Sequence, residues 1–150
     1  MARLEYRLFD ESKSFPVAYF YERIGKPEIA TRMACDYFIK EGKIYEKTST
    51  AIDAGVYVIY VQPAEDEKIV DPTQKPDWKT IRIELREYKE DTDYYPVIHT
   101  YEFRDDMEAL LHMQSNFLYL YGKEWEKTSA EIDEDRKVYV WYATSKQVGG

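Results

Sequence analysis

The sequence is poor in cysteine and histidine, the residues that most often form disulfide bonds and metal sites. Its 150 residues include a single cysteine, Cys35, and two histidines, His99 and His112. One cysteine cannot close an internal disulfide, so the composition favours a reducing compartment. The sequence has no run of about 18 apolar residues that could span a bilayer, and its first residues lack the apolar stretch of a secretory signal. We therefore expect a cytoplasmic protein with no membrane partner.

Clustered positive charge is also absent. The chain carries 21 lysine and arginine residues against 29 acidic residues, a net charge of −8. Nucleic-acid binding generally needs clustered basic side chains that displace counterions, so we expect no nucleic-acid partner. An acidic inhibitor that imitates DNA is an alternative. It is disfavoured because residues 1–62 hold nine basic and nine acidic side chains, which interrupts any continuous negative surface.

Catalytic and cofactor motifs are missing as well. The sequence contains no phosphate-binding glycine loop, dinucleotide motif, nucleophile elbow, HExxH motif or cysteine pair. A metal site needs three or four converging ligands, and neither histidine has a cysteine or another histidine at ligand spacing. With no basic residue beside it to activate the thiol, Cys35 is predicted to be a small buried side chain. The sequence thus predicts no metal, no cofactor and no enzymatic activity.

Aromatic residues are abundant, and one phrase occurs twice. The chain has 15 tyrosines, 6 phenylalanines and 3 tryptophans, residue types that suit half-buried sheets and interfaces. The phrase GKIYEKTSTAID begins at Gly42, and GKEWEKTSAEID begins at Gly122. Shifted by 80 positions, residues 16–53 and 96–133 align without a gap and agree at 14 of 38 positions. This agreement predicts an internal duplication whose copies are related by a pseudo-two-fold axis.

The copies define one domain over residues 1–150. The first copy covers residues 1–62 and the second covers residues 78–147. Between them, residues 63–77 hold three prolines and five acidic residues, the composition of a linker. Whether this linker has a function of its own stays open. Residues 148–150 are predicted to be a loose end.

Each copy predicts a β-β-α-β-β unit. Alternating segments such as RLEYRLF and IRIELREY indicate strands with one apolar and one charged face. Helical spacing follows, and Gly42 and Gly122 are predicted to end the two helices. The last strands, VYVIY and VYVWY, are apolar on both faces and should be central. The prediction is an α+β fold with eight mainly antiparallel strands and both helices packed on the sheet.

Two functions remain open. The first is a non-catalytic protein-interaction or regulatory domain that binds another protein or forms a homodimer. It is favoured by the surplus of tyrosine and tryptophan and by the apolar residues on both faces of the last strands. The second is a small-molecule binding module with an aromatic and acidic cleft between the copies, suited to a hydrophobic cation.

The candidate binding residues lie on the second strand of each copy. Glu22 and Glu102 each end an aromatic strand, and their carboxylates could frame a cation together with tyrosine rings. The simpler interpretation is that both acids face solvent. The full set of candidate residues is Tyr19, Tyr21, Glu22, His99, Tyr101 and Glu102.

Overall fold

Ten β-strands and two α-helices make up the part of the chain that the structure, a computed structural model, describes, which is residues 1–147. The helices are α1, Lys26–Met33, and α2, Asp106–Gln114. The strands are β1 Ala2–Leu8, β2 Val17–Ile24, β3 Tyr37–Lys40, β4 Lys43–Asp53, β5 Val56–Pro63, β6 Ile81–Glu87, β7 Val97–Phe103, β8 Phe117–Leu120, β9 Lys123–Asp133 and β10 Val138–Gln147. The predicted α+β class is confirmed. The predicted loose end falls on residues 148–150, which lie outside the described residues.

All ten strands belong to one sheet. Nine follow the order β2-β1-β5-β4-β3-β9-β10-β6-β7, and β8 pairs with β9 beside this path. The pairs β1–β5, β3–β9 and β6–β10 are parallel and the others are antiparallel. The prediction of a mainly antiparallel sheet is therefore confirmed. The helices pack against each other, and α2 also contacts β6 and β7.

The predicted helix ends are wrong. Helix α1 ends at Met33 rather than at Gly42, and the short strand β3 follows it. The same happens between α2 and β8 before Gly122. Glu41 and Gly42 have φ of 54° and 72°, and two successive positive values form the two-residue turn that joins antiparallel strands. The sheet therefore has ten strands instead of eight, and both glycines lie in hairpin turns.

The lysine of the repeated phrase binds the end of a helix. Lys47 Nζ donates a hydrogen bond to the carbonyl oxygen of Met33, at 2.6 Å. Lys127 Nζ donates to the carbonyl oxygen of Met113, at 2.9 Å. Cations near a helix C-terminus stabilise it through the macrodipole and the free carbonyls. The phrase thereby attaches each long strand to the helix that precedes it.

The threonine of the phrase lies at a β-bulge. The register of β4 with β5 shifts between Lys47 and Ser49, which leaves Thr48 as the extra residue. Its hydroxyl donates to the carbonyl oxygen of Tyr60 at 3.3 Å. Thr128 occupies the same position against β10 and donates to Tyr142 at 3.2 Å. A bulge bends the strand, and the hydroxyl satisfies a carbonyl beside it.

The main core lies on the helix side of the sheet. Leu4 and Tyr6 on β1, and Ile83 and Leu85 on β6, are all at most 1% exposed, as the alternating pattern predicts. The core also contains the aromatic and aliphatic side chains of the central strands and helices, including Ile29, Phe38, Tyr45, Met113, Trp125, Ile132, Tyr139 and Trp141. A smaller cluster of Val138, Val140 and Tyr142 packs with Tyr95 on the other face.

The two halves differ at the centre of the sheet. Strand β3 lies between β4 and β9, whereas β8 pairs with β9 alone among the described residues. Ile132 on β9 is consequently 1% exposed, but Ile52, its counterpart 80 residues earlier on β4, is 69% exposed. One half of the central junction is closed by strand pairing, and the other half is open.

Residues 64–80 contain no helix or strand. Residues 66–70 of this segment line a cavity on the sheet face opposite the helices, whereas Trp78 packs against the main core. Between them, the backbone N–H of Lys75 donates to the carbonyl of Asp135 at 2.8 Å. Within residues 1–147, none of the helices is long and apolar enough to cross a membrane.

Candidate functional site

The six candidate residues lie on two separate strands. Tyr19, Tyr21 and Glu22 are on β2, and the remaining three are on β7. These strands occupy opposite ends of the strand order. The sheet therefore does not pair the two segments.

On β2, the two tyrosines bond to the protein itself. The hydroxyls of Tyr19 and Tyr45 are 3.3 Å apart. Tyr21 donates its hydroxyl proton to Glu134 at 2.7 Å, and the guanidinium carbon of Arg32 lies 4.5 Å from the Tyr21 ring centre. Burial is the main reason why the pKa values of both tyrosines lie above 10. Glu22 is exposed and bonds to Arg3, beside solvent.

On β7, the aromatic residues form a layered cluster. The Tyr101 ring centre lies 4.6 Å from that of His99 and 4.4 Å from that of His112. His99 Nδ1 is 3.1 Å from the hydroxyl oxygen of Tyr121. Glu102 is exposed and faces Arg82 across the strand pair. Each glutamate thus lies beside its own basic neighbour, on a separate strand.

A cavity that contains none of the six candidate residues lies on the sheet face opposite the helices. Its volume is about 430 Å³, within the range of small-molecule pockets. It is bounded by the first half of the chain, by residues 66–70, and by the second half. The lining residues are Tyr37, Ile44, Asp66, Glu67, Lys68, Val70, Tyr88, Tyr95, Thr128, Ser129, Glu131 and Tyr142.

Tyrosine rings form the aromatic wall of this cavity. The ring centres of Tyr88 and Tyr95 are 5.2 Å apart, and those of Tyr95 and Tyr142 are 5.6 Å apart. Tyr37 lines the cavity from β3 in the first half. Rings at these separations interact favourably and present partly negative faces.

Glu131 places a carboxyl group against the aromatic wall. Because Ala130 and Ile132 point into the main core, alternation along β9 directs Glu131 to the opposite face. Glu131 as a whole is only 7% exposed. The hydroxyl of Tyr142 donates to Glu131 Oε2 at 3.0 Å.

The nearby arginines are already neutralised by other acids. Arg136 donates two hydrogen bonds to Glu84, at 2.9 and 3.0 Å, and a third to Asp133 at 3.0 Å. Arg86 donates to Glu84 at 2.9 Å. Two cations and two anions therefore balance one another. No lysine or arginine nitrogen in residues 1–147 lies within salt-bridge distance of Glu131.

The ionisation of these acids follows from their partners. Burial raises the pKa of Glu131 to about 8, and the negative charge of Asp133 adds to the effect. Burial would also raise the pKa of Glu84, but hydrogen bonds and charge from Arg136 and Arg86 hold it below its ordinary value. Asp133 has a raised pKa because its burial outweighs the contacts with Arg136. Burial thus favours the neutral form of Glu131 at pH 7.

The sequence carries a weak signal for this site. Glu131, in the repeated phrase, stands where the first copy has Ala51, and Glu134, directly after the phrase, stands where it has Ala54. An acid that replaces alanine within a central strand indicates a specific environment, since unpaired carboxylates are rarely buried. The cover that buries it comes from residues far away in the chain and could not be predicted.

The single cysteine lies in the core, directly after α1. Cys35 is 3% exposed, and burial raises the pKa of its thiol. The thiol donates to the carbonyl oxygen of Thr31. No group of three or more histidine, cysteine or acidic side chains in the described part of the chain could hold a metal ion.

Comparisons of this chain with protein-family models, with curated proteins and with solved structures find no match.

Proposed function

We propose that this protein is a small-molecule binding module, and that its ligand is an organic cation with apolar surface. The ligand occupies the tyrosine-lined cavity and places its positive charge against Glu131. The observation that carries the proposal is a buried carboxyl group without a cationic partner in an aromatic cavity of about 430 Å³.

The proposed binding has two contributions. A cation beside tyrosine faces gains from the ring quadrupole, and this gain is larger where water is excluded. Ionised Glu131 adds the opposite charge, which Arg86 and Arg136 do not neutralise because both are engaged by other acids. Because the pKa of Glu131 is about 8, binding at pH 7 releases a proton, and affinity increases as the pH rises through that value.

Isothermal titration calorimetry with benzyltrimethylammonium tests the proposal. We expect saturable binding at pH 7, with release of about one proton when buffers of different ionisation enthalpy are compared. The neutral isostere, in which carbon replaces the ammonium nitrogen, should bind at least about tenfold more weakly, because it lacks both charge interactions.

The variant Glu131→Gln should lose the preference for the cation and the proton release. Glu126→Gln is the matched control, because Glu126 lies on the same strand but is exposed and does not line the cavity. Equal affinity for cation and isostere, or unchanged proton release in Glu131→Gln, would contradict the proposal.

The cavity also fits a proposed origin of the fold by internal duplication about an approximate two-fold axis. The paired contacts of Lys47 and Lys127 and of Thr48 and Thr128 support it. In this proposal residues 1–62 and 78–147 are the two copies, and the binding cavity lies between them beneath residues 63–77.

A protein-interaction domain is the second candidate function. It is supported by aromatic side chains on and directly after β8. Phe117, Tyr119 and Tyr121 are 45%, 66% and 68% exposed, and exposed aromatic clusters are typical of interfaces.

A further inference from the structure

In the closed half of the central junction, strand β9 pairs with β3, and the acidic turn after β9 binds the β3–β4 hairpin. In parallel register, residues 37–39 of β3 pair with residues 131–133 of β9. The turn that follows β9 then binds the β3–β4 hairpin. The backbone N–H groups of Glu41 and Gly42 donate to the carboxylate of Asp135, at 2.8 and 2.9 Å. The N–H of Glu134 donates to the carbonyl of Ile39 at 2.8 Å.

The side chain of Glu134 completes this contact. It accepts a hydrogen bond from Arg32, a residue of α1 that is 2% exposed, and another from Tyr21. These contacts lower the pKa of Glu134 to about 2, although burial acts in the opposite direction. The closed half thus combines strand pairing, two backbone donors for one acid, and a buried arginine for the other.

The open half has a hairpin turn and a helix side chain at the equivalent positions, but it lacks the two acids. Eighty positions on, Tyr121 and Gly122 replace Glu41 and Gly42 in the hairpin turn, with φ of 55° and 72°. His112 on α2 takes the place of Arg32 and packs against Tyr101, the counterpart of Tyr21. Both ring nitrogens of His112 are buried and have no hydrogen-bond partner among residues 1–147. No side chain in that range accepts from the N–H of Tyr121 or Gly122 either.

One edge of β8 is available for pairing. Leu120 pairs with Lys123 across the two-residue turn, so its backbone groups bond within the hairpin. Backbone groups alternate along a strand, which directs those of Tyr119 away from β9. In the closed half, the aligned carbonyl of Ile39 receives the N–H of Glu134 from the neighbouring segment. In the open half, β8 pairs only with β9 within the described residues.

We propose that the free edge of β8 binds an extended acidic segment of a partner protein. The segment presents an apolar strand residue followed by an acidic turn, and it lies on β8 in the way that residues 131–135 lie on β3. One acid accepts from the N–H groups of Tyr121 and Gly122. The other faces His112 and Tyr101, as Glu134 faces Arg32 and Tyr21.

The chain's own turn after β4 lacks these features. In the aligned positions it has Ala54 and Gly55, which carry no carboxylate, and Asp53 is engaged by Arg7 at 2.9 Å. A second copy of the chain is also poorly suited, because its matching acidic segment, residues 131–135, is already held by β3. The occupant with the required chemistry is therefore a different polypeptide.

The test uses a fluorescein-labelled peptide with the sequence of residues 129–137, SAEIDEDRK, titrated with the full chain and followed by fluorescence anisotropy. We expect saturable binding. A peptide with glutamine and asparagine at the positions of Glu134 and Asp135 should bind at least about tenfold more weakly, because hydrogen bonds to charged groups are lost. A scrambled peptide of identical charge should also bind more weakly than the native order.

Protein variants locate the contact. His112→Arg reproduces the residue found at the closed half, and we expect it to bind the peptide several-fold more tightly. Tyr119→Pro removes the outward N–H and blocks strand pairing, so it should abolish binding while circular dichroism shows a folded chain. Phe20→Ser is the matched control, because it removes an exposed aromatic residue from another strand and should leave affinity unchanged.

Three results would overturn the proposal. The first is an absence of saturable binding to the wild-type chain, and the second is equal affinity for the scrambled peptide. The third comes from a Tyr119→Cys/Asp53→Cys variant in a Cys35→Ser background. Rapid formation of a disulfide within one chain would show that β4 itself covers β8, whereas a disulfide between two chains would replace the proposed partner with a second copy.

Discussion

The substitution Glu131→Gln should stabilise the protein, and the gain should depend on pH. The folded-state pKa of about 8 lies above the ordinary value of 4.5, so the folded protein binds this proton more tightly than the unfolded chain does. Stability from the neutral group is complete below pH 4.5 and is lost progressively as the pH rises from 4.5 to 8. Glutamine is neutral at every pH and can still accept from Tyr142.

The expected size follows from the pKa difference. One pKa unit corresponds to about 1.4 kcal/mol, so the difference between variant and wild type should grow by at most about 5 kcal/mol between pH 4.5 and pH 9. Local relaxation and water entry reduce this limit. Above pH 8 the stability difference between variant and wild type should level off, because Glu131 is then ionised in both the folded and the unfolded wild type.

Urea denaturation of both proteins from pH 4.5 to pH 9 measures this difference. Glu126→Gln, on the same strand but exposed, should show no comparable rise. A free-energy difference between Glu131→Gln and wild type that stays flat across the range would refute the argument. It would mean that Glu131 is ionised in the folded protein and has a partner or solvent access that the described contacts do not include.

Two further predictions concern buried groups on either face of the sheet. Burial lowers the pKa of His112 from 6.5 to about 4, and the rings of Tyr101, Phe103 and Trp141 surround it. The free energy of unfolding should therefore fall as the pH drops from 6.5 to 4, by at most about 3 kcal/mol. Partial exposure of His112 makes the expected loss smaller than this limit. The variant His112→Phe should remove this pH-dependent loss, as measured by urea titrations of both proteins. Arg136→Met should destabilise the protein by about 3–5 kcal/mol at pH 7, because it leaves Glu84 and Asp133 buried without their shared cation. Urea denaturation against Lys137→Met, a half-buried neighbour, measures the effect, and a loss below about 1 kcal/mol would show that water replaces the pair.

Local sequence patterns predicted several elements correctly. Alternation in β1 and β6 identified the faces that bury Leu4 and Ile83, because side chains in a strand point to opposite sides at each step. Asp105, with Glu108 three residues later, has the sequence pattern of a helix N-cap, and its carboxylate accepts from the N–H of Met107 at 2.9 Å. These features depend on neighbours a few residues away, which the sequence displays directly.

Strands β3 and β8 could not be separated from the helices by pattern alone. Met33, Tyr37 and Phe38 continue the helical spacing, and a glycine after an apolar run is as compatible with a helix end as with a hairpin turn. The choice was made by tertiary contacts. β3 is held between β4 and β9, and pairing on both sides outweighs the continuation of a short helix.

The sequence by itself determined the class of the fold and its buried faces, since periodicity and turn residues act locally. Tertiary structure decided the asymmetry and the site. The turn after β9 carries Glu134 and Asp135, and their contacts with Arg32 and the β3–β4 turn close one half of the junction. The aligned turn after β4 has no acid, so the other half stays open. Burial among residues 66–70 and the tyrosine wall raises the pKa of Glu131, because the nearby arginines are engaged by other acids and do not offset it.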